Sequence, residues 1–206
     1  MSENYGKFSK KLGGYRIEKL PDAGNYEYIY KNDEILVKVD QYGIITAQIN
    51  PPVGEAVFKR EEREVGSPVK VYFSDGESVF NNFDVLRADQ LTIDFLPEKS
   101  TYRLTFGDTE VVTELFVTEK DKRFVMNVTV KNLSEKAKEY SILKCAFPYL
   151  NELLMAPWDK PEWYTRTEYL KDKNAFLTTK YSVAGKKEER RYLTIVLNDE
   201  TNNREL

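Results

Sequence analysis

Thr101-Tyr102-Arg103-Leu104-Thr105-Phe106-Gly107-Asp108-Thr109-Glu110-Val111-Val112-Thr113-Glu114-Leu115-Phe116-Val117 decides the fold. Thr101 to Phe106 alternates polar and apolar residues, which is the period of a strand with one buried face. Gly107-Asp108 supplies turn chemistry, and Glu110 to Val117 returns. The segment therefore predicts an antiparallel hairpin.

Working outward from it, the same pattern repeats. On the C-terminal side Glu119-Lys120-Asp121-Lys122 turns and Arg123 to Lys131 forms a long β-rich run. Asn132-Leu133-Ser134 then opens a polar connection to a further strand over Tyr140 to Phe147. On the N-terminal side Leu91 to Leu96 is a strand stopped at Pro97, and Val69 to Phe73 one ended by Ser74-Asp75-Gly76. Earlier still, Tyr26 to Tyr30, Ile35 to Val39 and Ile44 to Ile49 are separated by Lys31-Asn32-Asp33 and Gln41-Tyr42-Gly43. Two short turns between β-rich runs predict a meander, which Asn50-Pro51-Pro52 stops. The polar stretch from Val53 to Gly66 reads as a loop, and Gly13-Gly14 as a turn without the Lys-Ser/Thr of a phosphate loop. Helical periodicity is confined to single turns at Glu135 to Glu139 and Leu150 to Ala156. Ala175 to Tyr181 and Tyr192 to Leu197 resume the strand pattern. So many strands with so little helix predict an all-β fold, a sandwich or a barrel, as a single domain over residues 1–206.

Composition narrows the function. The chain has 206 residues, 41% of them hydrophobic and 32% charged. No apolar run approaches the roughly 18 residues of a membrane span, and Met1 to Lys7 lacks a secretory core. Net charge is −3. The one basic cluster, Lys186-Lys187-Glu188-Glu189-Arg190-Arg191, is interrupted by acids, so neither nucleic acid nor membrane is an expected partner. Cys145 is the single cysteine, read as a small buried hydrophobe, and it allows no internal disulfide. This fits a cytoplasmic location. Histidine is absent. That removes the commonest acid/base and metal ligand, excludes Ser-His-Asp and Cys-His chemistry within the chain, and argues against zinc. No cofactor is expected.

Two groups of residues could carry chemistry. Between Pro148 and Lys171 the chain is rich in aromatics and prolines and holds both tryptophans. Trp158, Trp163, Tyr164 and Tyr169 could cover the C–H face of a sugar, with Arg166 and Glu168 reaching its hydroxyls. The competing reading is that these aromatics plug one end of the sandwich, as large side chains usually do. Asp84, Asp89, Asp94, Asp108 and Glu110 could supply the paired carboxylates of a glycosidase, but with 34 acidic residues such pairs arise by chance. No catalytic residue is assigned.

Several stretches, in this order, resemble the N-terminal domain of the cellobiose and chitobiose phosphorylase family. They are Gly14-Tyr15; Glu110 to Asn132 with its ending Lys131-Asn132-Leu133-Ser134; Trp163-Tyr164-Thr165 with Thr167-Glu168-Tyr169 and Asn174-Ala175-Phe176; and Asp199 to Glu205. The resemblance implies a large antiparallel super-sandwich related in fold to galactose mutarotase. It implies that the chain is the N-terminal part of a longer enzyme, whose further strands, helical linker and (α/α)6 barrel follow. The barrel would carry the general acid and most of the phosphate site. The sandwich would support it, help form a homodimer, and lend an edge to a pocket for β-glucoside-type carbohydrate. A free-standing carbohydrate-binding or structural module is the alternative. A mutarotase-like enzyme is disfavoured, because that chemistry uses histidine.

Overall fold

The computed structural model describes residues 6–20, 24–49, 55–58, 67–152, 165–181 and 191–196. Within them the hairpin predicted around Gly107 forms as β10 (Ser100–Phe106) and β11 (Thr109–Val117), with Phe106 opposite Thr109 and Tyr102 opposite Thr113. Gly107 takes a left-handed φ of 57°, a conformation that glycine adopts without a Cβ penalty. This hairpin is the spine of a six-stranded antiparallel sheet. Its order is β1 (Gly6–Ser9), β2 (Gly14–Ile17), β9 (Gln90–Phe95), β10, β11, β12 (Phe124–Asn132). Alternation decides the buried face: Thr109, Val111, Thr113 and Leu115 of β11 are buried, while Glu110, Val112 and Glu114 face out.

The predicted meander is β3 (Glu27–Lys31), β4 (Ile35–Asp40) and β5 (Ile45–Ile49). It is extended by β6 (Glu55–Phe58) and β14 (Asn151–Glu152) into a five-stranded sheet. The loop expected over Val53 to Gly66 is thus corrected: Ala56-Val57-Phe58 are apolar enough to pair with β5, and Val57 and Phe58 enter the core. A further sheet has the order β13 (Ser141–Ala146), β7 (Val69–Ser74), β8 (Val79–Asn81). The last is β15 (Thr165–Leu170), β16 (Ala175–Lys180), β17 (Arg191–Val196). The helical turn expected at Glu135 to Glu139 is not formed. There Asn132 Nδ2 and Ser134 Oγ donate to the Lys136 carbonyl, and the chain remains a loop. The turn expected from Leu150 is replaced at its start by β14, and residues 153–156 lie outside the described residues.

The layers follow from the packing. One end of the six-stranded sheet's inner face, with Ile17, Ile93, Phe95, Tyr102, Leu104 and Leu115, packs against Tyr30, Val37, Val39, Ile45 and Phe58 of the five-stranded sheet. The other end, with Val111, Phe106, Met126, Val128 and Val130, packs against Val71, Phe73 and Phe80. The architecture is therefore a β-sandwich in which one broad sheet is covered by two others side by side. Where they meet, Asn82 is fully buried. Its Oδ1 accepts from Val71 N at 2.8 Å, and its Nδ2 donates to Thr113 Oγ1 at 3.3 Å, so one amide joins both layers. Two tyrosines do similar work deeper in: Tyr30 OH lies 2.8 Å from Ser100 Oγ, and Tyr102 OH donates to the Asp40 carbonyl. Burial raises the pKa of both phenols, so both remain protonated donors at neutral pH. Leu193 on β17 ties the last sheet to the main core.

Candidate functional site

Of the six sequence-predicted site residues, Trp158, Trp163 and Tyr164 lie outside the described residues. Arg166, Glu168 and Tyr169 lie on β15, an edge strand, and all three are exposed. Strand alternation separates them. Thr165, Thr167 and Tyr169 share one face, and Arg166, Glu168 and Leu170 the other. The sequence placed Arg166, Glu168 and Tyr169 near one another; the pleat keeps the aromatic ring away from the charged pair.

On its own face Tyr169 has a different neighbour. Its ring lies 5.1 Å from that of Phe176, directly opposite on β16, tilted by 46°. The hydroxyl donates to Asn174 Oδ1 at 2.7 Å. Asn174 closes the 3-10 turn Lys171–Lys173 in a left-handed conformation, φ 45°, which asparagine tolerates better than most side chains. A strand, a tight turn and a return strand therefore hold Tyr169, Asn174 and Phe176 together as an exposed aromatic patch with a polar end. Such a patch can cover an apolar surface, whether the C–H face of a sugar or a protein side chain. Phe176 and Asn174 were legible only in their family resemblance, because their contact depends on the β15–β16 register. Further back in the chain, Leu150 is buried in the main core with φ 49°, an uncommon conformation for a bulky residue.

The five carboxylates considered as a catalytic pair are each engaged. Asp94 receives Arg16 through both oxygens, at 2.7 and 2.8 Å. Glu110 pairs with Arg103 at 2.9 Å and Asp84 with Arg87 at 3.0 Å. Asp89 accepts from Gly107 N at 2.7 Å, and Asp108 accepts from Lys138. The Lys138 contact holds the Asp108 carboxyl below its ordinary pKa. A shallow depression of about 480 Å³ is lined by Glu18, Lys19, Leu20, Leu86, Asp89, Gln90 and neighbours, open to solvent. Among the described residues no cluster of three metal-ligating side chains exists, and no helix is long and apolar enough to cross a membrane. Cys145, expected in the core, is half-buried on edge strand β13.

A family model described as the supersandwich domain of glycosyl hydrolase 94 matches residues 82–205, more than half of the chain. The match begins at the buried Asn82 and takes in β9 to β17 and the aromatic segment. Gly14-Tyr15 lies outside it. No curated protein matches the chain.

Proposed function

This chain belongs to the glycosyl hydrolase 94 family, as its supersandwich domain, and from that premise we propose that it is a non-catalytic support for a helical (α/α)6 barrel in the parent enzyme. The barrel carries the chemistry on carbohydrate of the β-glucoside type. The sandwich holds the barrel in place, takes part in dimerisation, and offers the segment from Trp158 to Tyr169 as an edge of the sugar pocket. The enzyme works in the cytoplasm. One observation supports the non-catalytic role: the five carboxylates weighed as an acid/base pair, Asp84, Asp89, Asp94, Asp108 and Glu110, are each held by a cation or a backbone amide, in a chain without histidine.

A second reading, a free-standing carbohydrate-binding module, is favoured by the exposed Tyr169–Phe176 pair. Calorimetry with β-glucoside oligosaccharides separates the two. The supporting role predicts no heat at millimolar sugar, because half a pocket binds little. Binding of the isolated chain that is lost in both Trp163→Ala and Tyr169→Ala would replace the first reading by the second.

A further inference from the structure

Met126 is the one methionine among the described residues; Met1 and Met155 lie outside them. It stands on β12 in the inward row Phe124, Met126, Val128, Val130. Phe124 packs against the first core cluster and the two valines against the second, while Met126 packs against both. An unbranched thioether fills such an irregular position well. The sulfur also has a polar partner. Asn82 Nδ2 donates to Met126 Sδ at 3.7 Å and to Thr113 Oγ1 at 3.3 Å. The rest of Asn82 is committed as well. Its Oδ1 accepts from Val71 N at 2.8 Å, its backbone N–H donates to the Val71 carbonyl at 3.1 Å, and its own carbonyl accepts from Thr113 Oγ1 at 3.3 Å. The thioether therefore completes the partners of a fully buried amide that joins β7 to β11. It is a weak acceptor and an oxidisable atom. Met126 is only half-buried, so solvent reaches the joint at this residue.

We propose that Met126 is a peroxide-sensitive modification site, and that its conversion to the sulfoxide loosens the Asn82 joint between the layers. The reaction is an oxygen transfer from hydrogen peroxide. A sulfur lone pair attacks one peroxide oxygen; the S–O bond forms and the O–O bond breaks. The departing hydroxide takes the proton of the transferred oxygen and leaves as water. Sulfur is oxidised by two electrons and the peroxide is reduced. The product is polar and larger by one oxygen. Turned towards Asn82, that oxygen pushes against an amide already held by Val71 and Thr113. Turned towards the core clusters, it is a buried acceptor without a donor. Both orientations oppose the packing that the thioether allows. The inference concerns the interior of the sandwich, and its failure leaves the barrel-supporting role standing.

Treatment of the folded full chain with dilute hydrogen peroxide, followed by peptide mass mapping and a denaturant titration, tests it. The peptide that holds Met126 should gain one oxygen while circular dichroism still reports the native fold. The folded-to-unfolded ratio should then fall at least about tenfold, the scale of a buried polar group left without its partner. Methionine sulfoxide reductases for both epimers, applied to the unfolded chain before refolding, should restore it. M126L keeps the side-chain volume and retains Cys145, Met1 and Met155, so peroxide should leave its stability unchanged. Oxygen uptake at Met126 only under unfolding conditions overturns the proposal. So does a sulfoxide that leaves stability unchanged, a loss that the reductases do not reverse, or a loss as large in M126L as in wild type. The mapping and reductase arms need no variant, so they decide the matter if M126L fails to fold.

Discussion

Asn82 is buried between two sheets, and its amide has no slack. Removing it leaves the Val71 N–H buried without its acceptor and empties a fully buried position. Each orphaned group costs about 1–3 kcal/mol, so Asn82→Ala should lower unfolding free energy by about 2–4 kcal/mol in a denaturant titration, with an unchanged slope. Gly43 is as constrained for a different reason. In the turn between β4 and β5 it holds φ 71°, and a Cβ there would lie 2.0 Å from Phe83 Cδ1. The left-handed conformation alone costs an L-residue about 1–2 kcal/mol, and Phe83 would have to leave its edge-on contact with Tyr102. Gly43→Ala should therefore destabilise by at least about 2 kcal/mol in the same titration. The Gly43 turn was legible in Gln41-Tyr42-Gly43, because glycine marks positive φ. The role of Asn82 was not, because a polar residue near a turn reads as surface until both layers are placed.

At the scale of elements, legibility tracked local pattern. Strands β10, β11 and β12 alternate cleanly and were read with their turns. Strands β6 and β15 were missed, β6 because charged and proline-rich sequence surrounds four residues, β15 because Thr-Arg-Thr-Glu-Tyr-Leu has no buried face to write into the sequence. The same limit blurred the candidate site. Sequence proximity grouped Arg166 and Glu168 with Tyr169, while the β15 pleat divides them and register brings Phe176 to the ring instead. Connections between elements have chemistry of their own. Lys138 reaches Asp108 on the β10–β11 turn and Asp75, at 3.6 Å, on the β7–β8 turn, so it clips two layers together from the β12–β13 connection. The contact lowers the Asp108 pKa and raises that of Lys138. A depressed carboxyl stabilises above its unfolded pKa, about 3.9, and that contribution is lost as pH falls through the lower folded value. Thermal midpoints of wild type and Asp108→Asn should differ at pH 7, with wild type higher, and converge in strong acid. A gap that persists there would place the effect of Asp108 in packing.

At the scale of the whole molecule, the antiparallel sandwich and the family were both readable, since each rests on strand patterns and ordered motifs that the sequence itself displays. How the layers divide was not, because one continuous alternation on β11 serves two covering sheets, and no sequence feature marks where the first ends and the second begins. Among the described residues, tyrosines and an asparagine join the layers, and the five carboxylates weighed for catalysis are held by cations or a backbone amide. A scaffold of this kind should do no chemistry alone. The direct measurement is turnover of β-glucosides by the purified chain, followed with inorganic phosphate as acceptor and again with water alone. The account predicts no sugar phosphate and no free sugar above the blank at any enzyme concentration. Turnover that scales with protein and survives repeated purification would contradict it.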